Sequence, residues 1–204
     1  PSFAFAYKIK EEKPLRDLNW LSDLKLRLGY GVTGQQEGID NYLWIAQYRV
    51  GGPYGYYPMA GDGKLYTPKY FNKNLKWETT TTYNVGLDFG AFDQRVTASV
   101  DWYYRKTKDL INNAPVAALS GFADMGLQNI GSLKNTGVEV ALGWKVVQTK
   151  DWFWSLDYNF TYNKNEITDL TGVSEGGLPV LTGAMIDQSN QVLAHQVGYA
   201  ANSF

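Results

Sequence analysis

The sequence predicts an all-β fold, an antiparallel sheet whose strands cross a membrane as part of a β-barrel wall. Three observations predict it. Six segments alternate between large apolar residues and small or polar ones. The connections between them switch between very short and long. Aromatic residues make up 15% of the 204, with 15 Tyr, 9 Phe and 7 Trp, and the amphipathic rings of Tyr and Trp favour the boundary between water and lipid.

The elements follow in order. Near residues 2–10, Phe3, Phe5, Tyr7 and Ile9 alternate with Ser2, Ala4, Ala6 and Lys8. Near 23–33, Leu24, Leu26, Leu28, Tyr30 and Val32 oppose Lys25, Arg27, Gly29, Gly31 and Thr33. Near 79–90, one face holds Thr79, Thr81, Tyr83, Val85, Leu87 and Phe89, the other Thr80, Thr82, Asn84, Gly86 and Asp88. Near 95–108, Val96, Ala98, Val100, Trp102 and Tyr104 share one face, and Thr97, Ser99, Asp101, Tyr103 and Arg105 the other. Near 135–148 the apolar set is Val138, Val140, Leu142, Trp144 and Val146, against Gly137, Glu139, Ala141, Gly143 and Lys145. Near 152–168 it is Trp152, Trp154, Leu156, Tyr158, Phe160 and Tyr162, with Phe153 the exception on a face of Ser155, Asp157, Asn159, Thr161 and Asn163.

Successive side chains of a strand point to opposite faces, so period-2 alternation means one apolar face and one wet face. The clear spans are long enough for a tilted strand to cross a bilayer core, which takes about 9–11 residues. Residues 90–94 and 148–151 are tight turns, and 11–22 is a fairly short link with room for a helical turn. The stretches near 34–78, 109–134 and 171–204 are long loops, expected on the extracellular rim. A soluble β-sandwich shares the alternation. Aromatics near the ends of the apolar faces, and charges in mid-strand on the other (Arg27, Asp88, Asp101, Glu139, Asp157), favour a barrel with a hydrated lumen. Bacterial barrels need about eight strands or more, and open edges in lipid are costly, so the chain is expected to be part of a larger barrel.

Other function classes find little footing. Net charge is −1, which gives no basic field for nucleic acid. There is no Cys, so thiolate metal sites and disulfides are excluded. The sequence opens at Pro1 without a signal peptide and has no apolar run of roughly 18 residues. His195 is the sole His and reads as a surface residue rather than a catalyst. Glu11 with Glu12 reads as a rim turn, and Asp88 with Asp101 as lumen electrostatics, rather than as glycosidase pairs. Gly61-Asp62-Gly63 lacks the other ligands of a calcium loop, and Asn159-Phe160-Thr161 is a sequon within a strand. No enzyme activity, cofactor or metal is expected. The candidate substrate-binding residues are Tyr54, Tyr56, Tyr57 and Tyr66, rings on a glycine-rich loop that can stack on a sugar or touch a partner.

Three blocks carry a resemblance. Residues 1–36 run as strand, turn and strand into Tyr30-Gly31-Val32-Thr33-Gly34-Gln35-Gln36; residues 72–111 contain NKNLKWETT, NVGLDF and DWYYRKTKDL; residues 127–170 contain NIGSLKNTGVEV and YNFTYNKNEI. In this order they resemble the SusC/RagA family of TonB-linked outer-membrane transporters of Bacteroidetes. Gln35 replaces the usual Asn of the first motif and Lys73 the usual Pro of the second. The terminal VGYAANSF resembles a motif that continues past Phe204 in that family. Resemblance is weakest at 37–71 and 172–192. It implies a longer polypeptide with an N-terminal plug and a barrel of about 22 strands. It also implies import of an oligosaccharide or peptide, coupling to TonB through the plug, and a SusD-like surface lipoprotein over the mouth. The wall would face outer-membrane lipid. The residues alone leave open a soluble carbohydrate-binding β-sandwich and a structural outer-membrane protein or adhesin.

Overall fold

A computed structural model describes residues 1–35, 42, 45–50, 66–115, 125–170, 180–185 and 191–203. Six long strands form one sheet: β1 (Ser2–Lys8), β2 (Leu21–Gln35), β5 (Glu78–Ala91), β6 (Val96–Lys108), β9 (Ser132–Gln148) and β10 (Phe153–Asp169). They are hydrogen-bonded in that order, each antiparallel to the next. β1 does not pair with β10, so the sheet is open and the barrel is not closed within this chain.

Register turns the alternation into rows. Phe5, Leu28, Val85, Trp102, Val138 and Tyr162 are successive partners across all six strands. The next row holds Tyr7, Leu26, Leu87, Val100, Val140 and Phe160. A one-residue slip of any strand would replace its members of these rows by the small, polar or charged residues of the opposite face, so the apolar pattern itself holds the register. Above them lies an aromatic row, Phe3, Tyr30, Tyr83 and Tyr104, with ring centroids 5.2 Å apart for Tyr30–Tyr83 and 6.3 Å for Tyr83–Tyr104. At the opposite rim Trp20 packs 6.4 Å from Phe89 and 6.5 Å from Phe92.

No second layer among the described residues covers these rows. Among the described residues the buried apolar side chains are Leu21, Ala91, Ile167 and Val197, and none of them belongs to the two central rows. Val100 is 41% exposed and Phe160 48%. Soluble monomers rarely expose so continuous an apolar face, whereas lipid covers it at no cost.

The short connections share one rim. β5 and β6 are joined by a turn in which Phe92, Asp93 and Gln94 all adopt positive φ, of 52°, 53° and 60°. β1 stops at Lys8, two residues before the alternation does, because Ile9–Glu11 form a 3-10 turn and Lys13–Arg16 a single helical turn with Pro14 in its first positions. The Lys10 ammonium donates to the carbonyls of Leu15, Arg16 and Leu18 at 2.8, 2.8 and 3.0 Å. It thereby adds a charged donor to carbonyls at and just past the end of the helical turn, two of which, Leu15 and Leu18, also accept backbone N–H groups.

The other rim holds structure that alternation did not reveal. Within the expected long loops lie three small antiparallel hairpins: β3 (Gln47–Val50) with β4 (Tyr66–Lys69), β7 (Ile111–Pro115) with β8 (Met125–Asn129), and β11 (Val180–Met185) with β12 (Gln191–His195). Strands of four to six residues are too short to carry a periodic signal.

Candidate functional site

The inward face opposite the apolar rows is polar, and its central feature spans three strands. Arg27 on β2 lies opposite Gly86 on β5, which lies opposite Asp101 on β6. The guanidinium crosses over Gly86 to reach both acids. Its Nε donates to Asp88 Oδ2 at 2.8 Å, and its Nη2 donates to Asp88 Oδ1 at 2.9 Å and Asp101 Oδ2 at 2.8 Å. Ser99 joins the carboxylates through its hydroxyl, 3.0 Å from Asp101 Oδ2 and 3.2 Å from Asp88 Oδ1. Lys25 adds a longer contact to Asp88, 3.6 Å. The crossing uses the space over glycine: a Cβ at position 86 would meet the ends of the Asp101 and Arg27 side chains, lying 2.7 Å from Arg27 Cζ, and both would have to shift.

Tyr103, Gly137 and Asn163 repeat the device on β6, β9 and β10. The Tyr103 ring lies over Gly137, where a Cβ would come within 2.5 Å, and its hydroxyl donates to Asn163 Oδ1 at 3.2 Å. Glycine at position 137 leaves room on the inward face. In the structure the room is taken by the ring of the neighbouring strand. Lys145 and Arg105, also on the inward face, make no ion pair among the described residues, whereas Arg27 and Lys25 do.

Toward the short-turn rim the inward face opens into a hollow of about 580 Å³ lined in part by Asp23, Asp88, Asp157, Thr97, Ser99 and Asn159. Small residues at Ala141 and Gly143 form its floor. The hollow is wide and shallow, and its hydroxyl, amide and carboxylate groups suit hydrated contact rather than covalent chemistry. Among the described residues there is no cluster of three metal-ligating side chains. His195, the last residue of β12, contacts Asn202 in the following turn at 2.9 Å.

At the long-loop rim, side chains tie the hairpins into a ledge. The Tyr70 ring, just past β4, covers Gly126 on β8. The Asn129 carboxamide accepts from the Lys76 N–H and donates to the carbonyls of Lys76 and Asp109, each at 2.8 Å. Glu78 Oε1 accepts the Ile111 N–H at 3.0 Å. The motif around Trp77 and the asparagine of the third block are therefore two halves of one joint. Tyr66, a candidate binding residue, sits on β4 opposite Val50 and is 50% exposed. Tyr54, Tyr56 and Tyr57 lie outside the described residues.

With this geometry in place, comparison with known proteins becomes specific. Residues 1–198 match the family model described as TonB dependent receptor-like, beta-barrel. The chain is 50% identical over its full length to the TonB-dependent receptor SusC of Bacteroides thetaiotaomicron, covering 21% of that protein. It is 33% identical over 98% of its length to the TonB-dependent receptor P39 of Formosa agariphila, covering 18% of it. It superposes on the RagAB peptide importer in its open-open state with a TM-score of 0.80 at 35% identity, covering 97% of this chain and 20% of that one. The closed-closed state gives 0.73 at 34% identity, with the same coverage. The chain thus spans about a fifth of the length of the relatives it matches. It belongs to the TonB-dependent receptor β-barrel family of the bacterial outer membrane, and the SusC/RagA resemblance holds along its whole length.

Proposed function

We propose that the whole protein imports a large nutrient, an oligosaccharide or a peptide, across the outer membrane with energy delivered through TonB, and that this chain supplies wall and extracellular loops. The observation that carries the reading is the two-faced sheet: uncovered apolar rows on one side and, on the other, a continuous polar wall held by Arg27, Tyr103 and their partners. Such a wall can pass a hydrated solute, and nothing in its chemistry calls for a reaction. The likeness to SusC and to a peptide importer supports the transport class and leaves glycan and peptide as the two candidate cargoes.

In this reading a SusD-like surface lipoprotein covers the mouth, TonB pulls on a plug belonging to the whole polypeptide, and Tyr54, Tyr56, Tyr57 and Tyr66 contact cargo or the lipoprotein from the ledge. Loss of one stacking ring costs about 0.5–1.5 kcal/mol, or roughly 2–10-fold in affinity. Tyr66→Ala in the whole transporter is therefore expected to reduce uptake of labelled cargo at subsaturating concentration by that factor, with outer-membrane abundance unchanged. Uptake equal to the parent's would remove Tyr66 from the contact surface. Growth of a strain lacking the gene on oligosaccharides and on peptides separates the cargo classes, and normal growth on both would sink the import reading.

A further inference from the structure

Charge stands on the outward face where lipid tails end. Along β6 the outward positions run Val100, Trp102, Tyr104, Lys106 and Lys108; along β9 they run Val140, Val138, Thr136 and Lys134; along β10 they run Phe160, Tyr162, Lys164 and Glu166. Register places Tyr104, Thr136 and Lys164 in one row and Lys106, Lys134 and Glu166 in the next. The lysines thus begin at the level of the tyrosine row, which marks the depth at which lipid gives way to water.

The patch is not balanced internally. Glu166 is shared, 2.7 Å from Lys134 Nζ and 3.2 Å from Lys164 Nζ. Lys106 stands directly opposite Lys134 and, like Lys108, makes no ion pair among the described residues. Three lysines therefore stand with one carboxylate in these two rows, and Lys108 lies one row further toward the rim. Like charges directly opposite on antiparallel strands repel; Lys134 has Glu166 beside it, whereas Lys106 and Lys108 are left to favour an anion from outside the sheet.

We propose that Lys106, Lys108, Lys134 and Lys164 bind the phosphate-bearing head group of an outer-leaflet lipid seated on the outward wall of β6, β9 and β10. Three things favour a lipid over a dissolved anion. The patch is continuous with the lipid-facing rows. It lies at head-group depth. Directly beneath it Trp102, Val138 and Tyr162 offer an apolar bed for the tails. Basic side chains close to a membrane surface attract anionic lipid additively. The inference rests on the outer-membrane setting and not on which nutrient is carried.

The test uses the whole transporter, purified in neutral detergent, and follows its heat unfolding while bisphosphorylated lipid A, dephosphorylated lipid A or inorganic phosphate is added. Bisphosphorylated lipid A is expected to raise the unfolding temperature of the parent by several degrees, with neither other addition matching it. Lys106→Gln combined with Lys134→Gln and Lys164→Gln is expected to abolish most of that rise. Lys145→Gln, at an inward position near the short-turn rim, is expected to keep it. Each variant is compared with itself without lipid, so a change in basal stability does not mask the effect. An undiminished rise in the triple variant would overturn the proposal, as would an equal rise with dephosphorylated lipid A or with inorganic phosphate. Nutrient uptake measured alongside distinguishes loss of lipid binding from failure of the import reading.

Discussion

At the residue scale the inward wall depends on two glycines that give their space to a neighbour's side chain. Gly86→Ala places a methyl against Arg27 Cζ, so the guanidinium must leave its position between Asp88 and Asp101. The expected cost is about 0.5–1.5 kcal/mol, that of weakened hydrogen bonds, because the displaced groups are ends of flexible, partly exposed side chains. Gly31→Ala is the matched control, since nothing lies within 4 Å of a Cβ there, and it should change stability by no more than about 0.5 kcal/mol. Urea unfolding midpoints of the detergent-solubilised transporter would check both, and equal effects at the two positions would refute the crossing geometry. A double-mutant cycle with Arg27→Met and Asp101→Asn should give a coupling of about 1–2 kcal/mol, because these charge-assisted bonds are partly exposed to water. The residue types were legible as inward charges in the sequence. Which acid meets which base was not, because Arg27 reaches Asp101 only through a register that brings residues 74 positions apart into one row.

At the element scale, depth decides what a substitution does. Val140 belongs to a central outward row with Leu87 and Val100, so Val140→Arg is expected to cost about 2–4 kcal/mol or to block insertion. Leu156, at the same face from its alternation, pairs with Trp144 two rows nearer the short-turn rim, and Leu156→Arg should cost less. Inward Glu139→Gln should be mild. Assembly of the three variants, read from the heat-dependent shift of folded barrel on a denaturing gel, ranks them, and an arginine at 140 tolerated like Glu139→Gln would reverse the two faces. Long strands announce themselves because many residues repeat one facing rule. The small hairpins of the ledge, the 3-10 turn at Ile9–Glu11 and the Lys10 cap do not, because each rests on a few specific contacts rather than a period.

At the scale of the whole molecule the open sheet is the governing feature. β1 and the Phe153–Lys164 part of β10 are exposed along their length. The far end of β10 is latched instead: the Ile167 N–H donates to the Tyr199 carbonyl at 2.8 Å, the Ile167 carbonyl accepts the Gly198 N–H at 2.9 Å, and the Ala201 N–H donates to Asn165 Oδ1 at 3.0 Å. The terminal motif around Val197–Ser203 thus serves the rim above the wall. With two edges and one apolar face uncovered, residues 1–204 expressed alone are expected to remain in detergent or in aggregates. A monodisperse particle in plain buffer, seen by size-exclusion chromatography with light scattering, would mean that something other than lipid covers the outward rows.

By itself the sequence determined that the chain is a sheet with one oily and one wet face, how many long strands it has, and which rim carries its tight turns. These are local consequences of side-chain period and turn length. Only the tertiary structure decided that Tyr103 fills the space over Gly137, that the loop before β5 locks onto Asn129, and that outward lysines meet in adjacent rows above the tyrosines. Those facts arise between strands distant in sequence, where pairing register, not local pattern, sets which side chains meet.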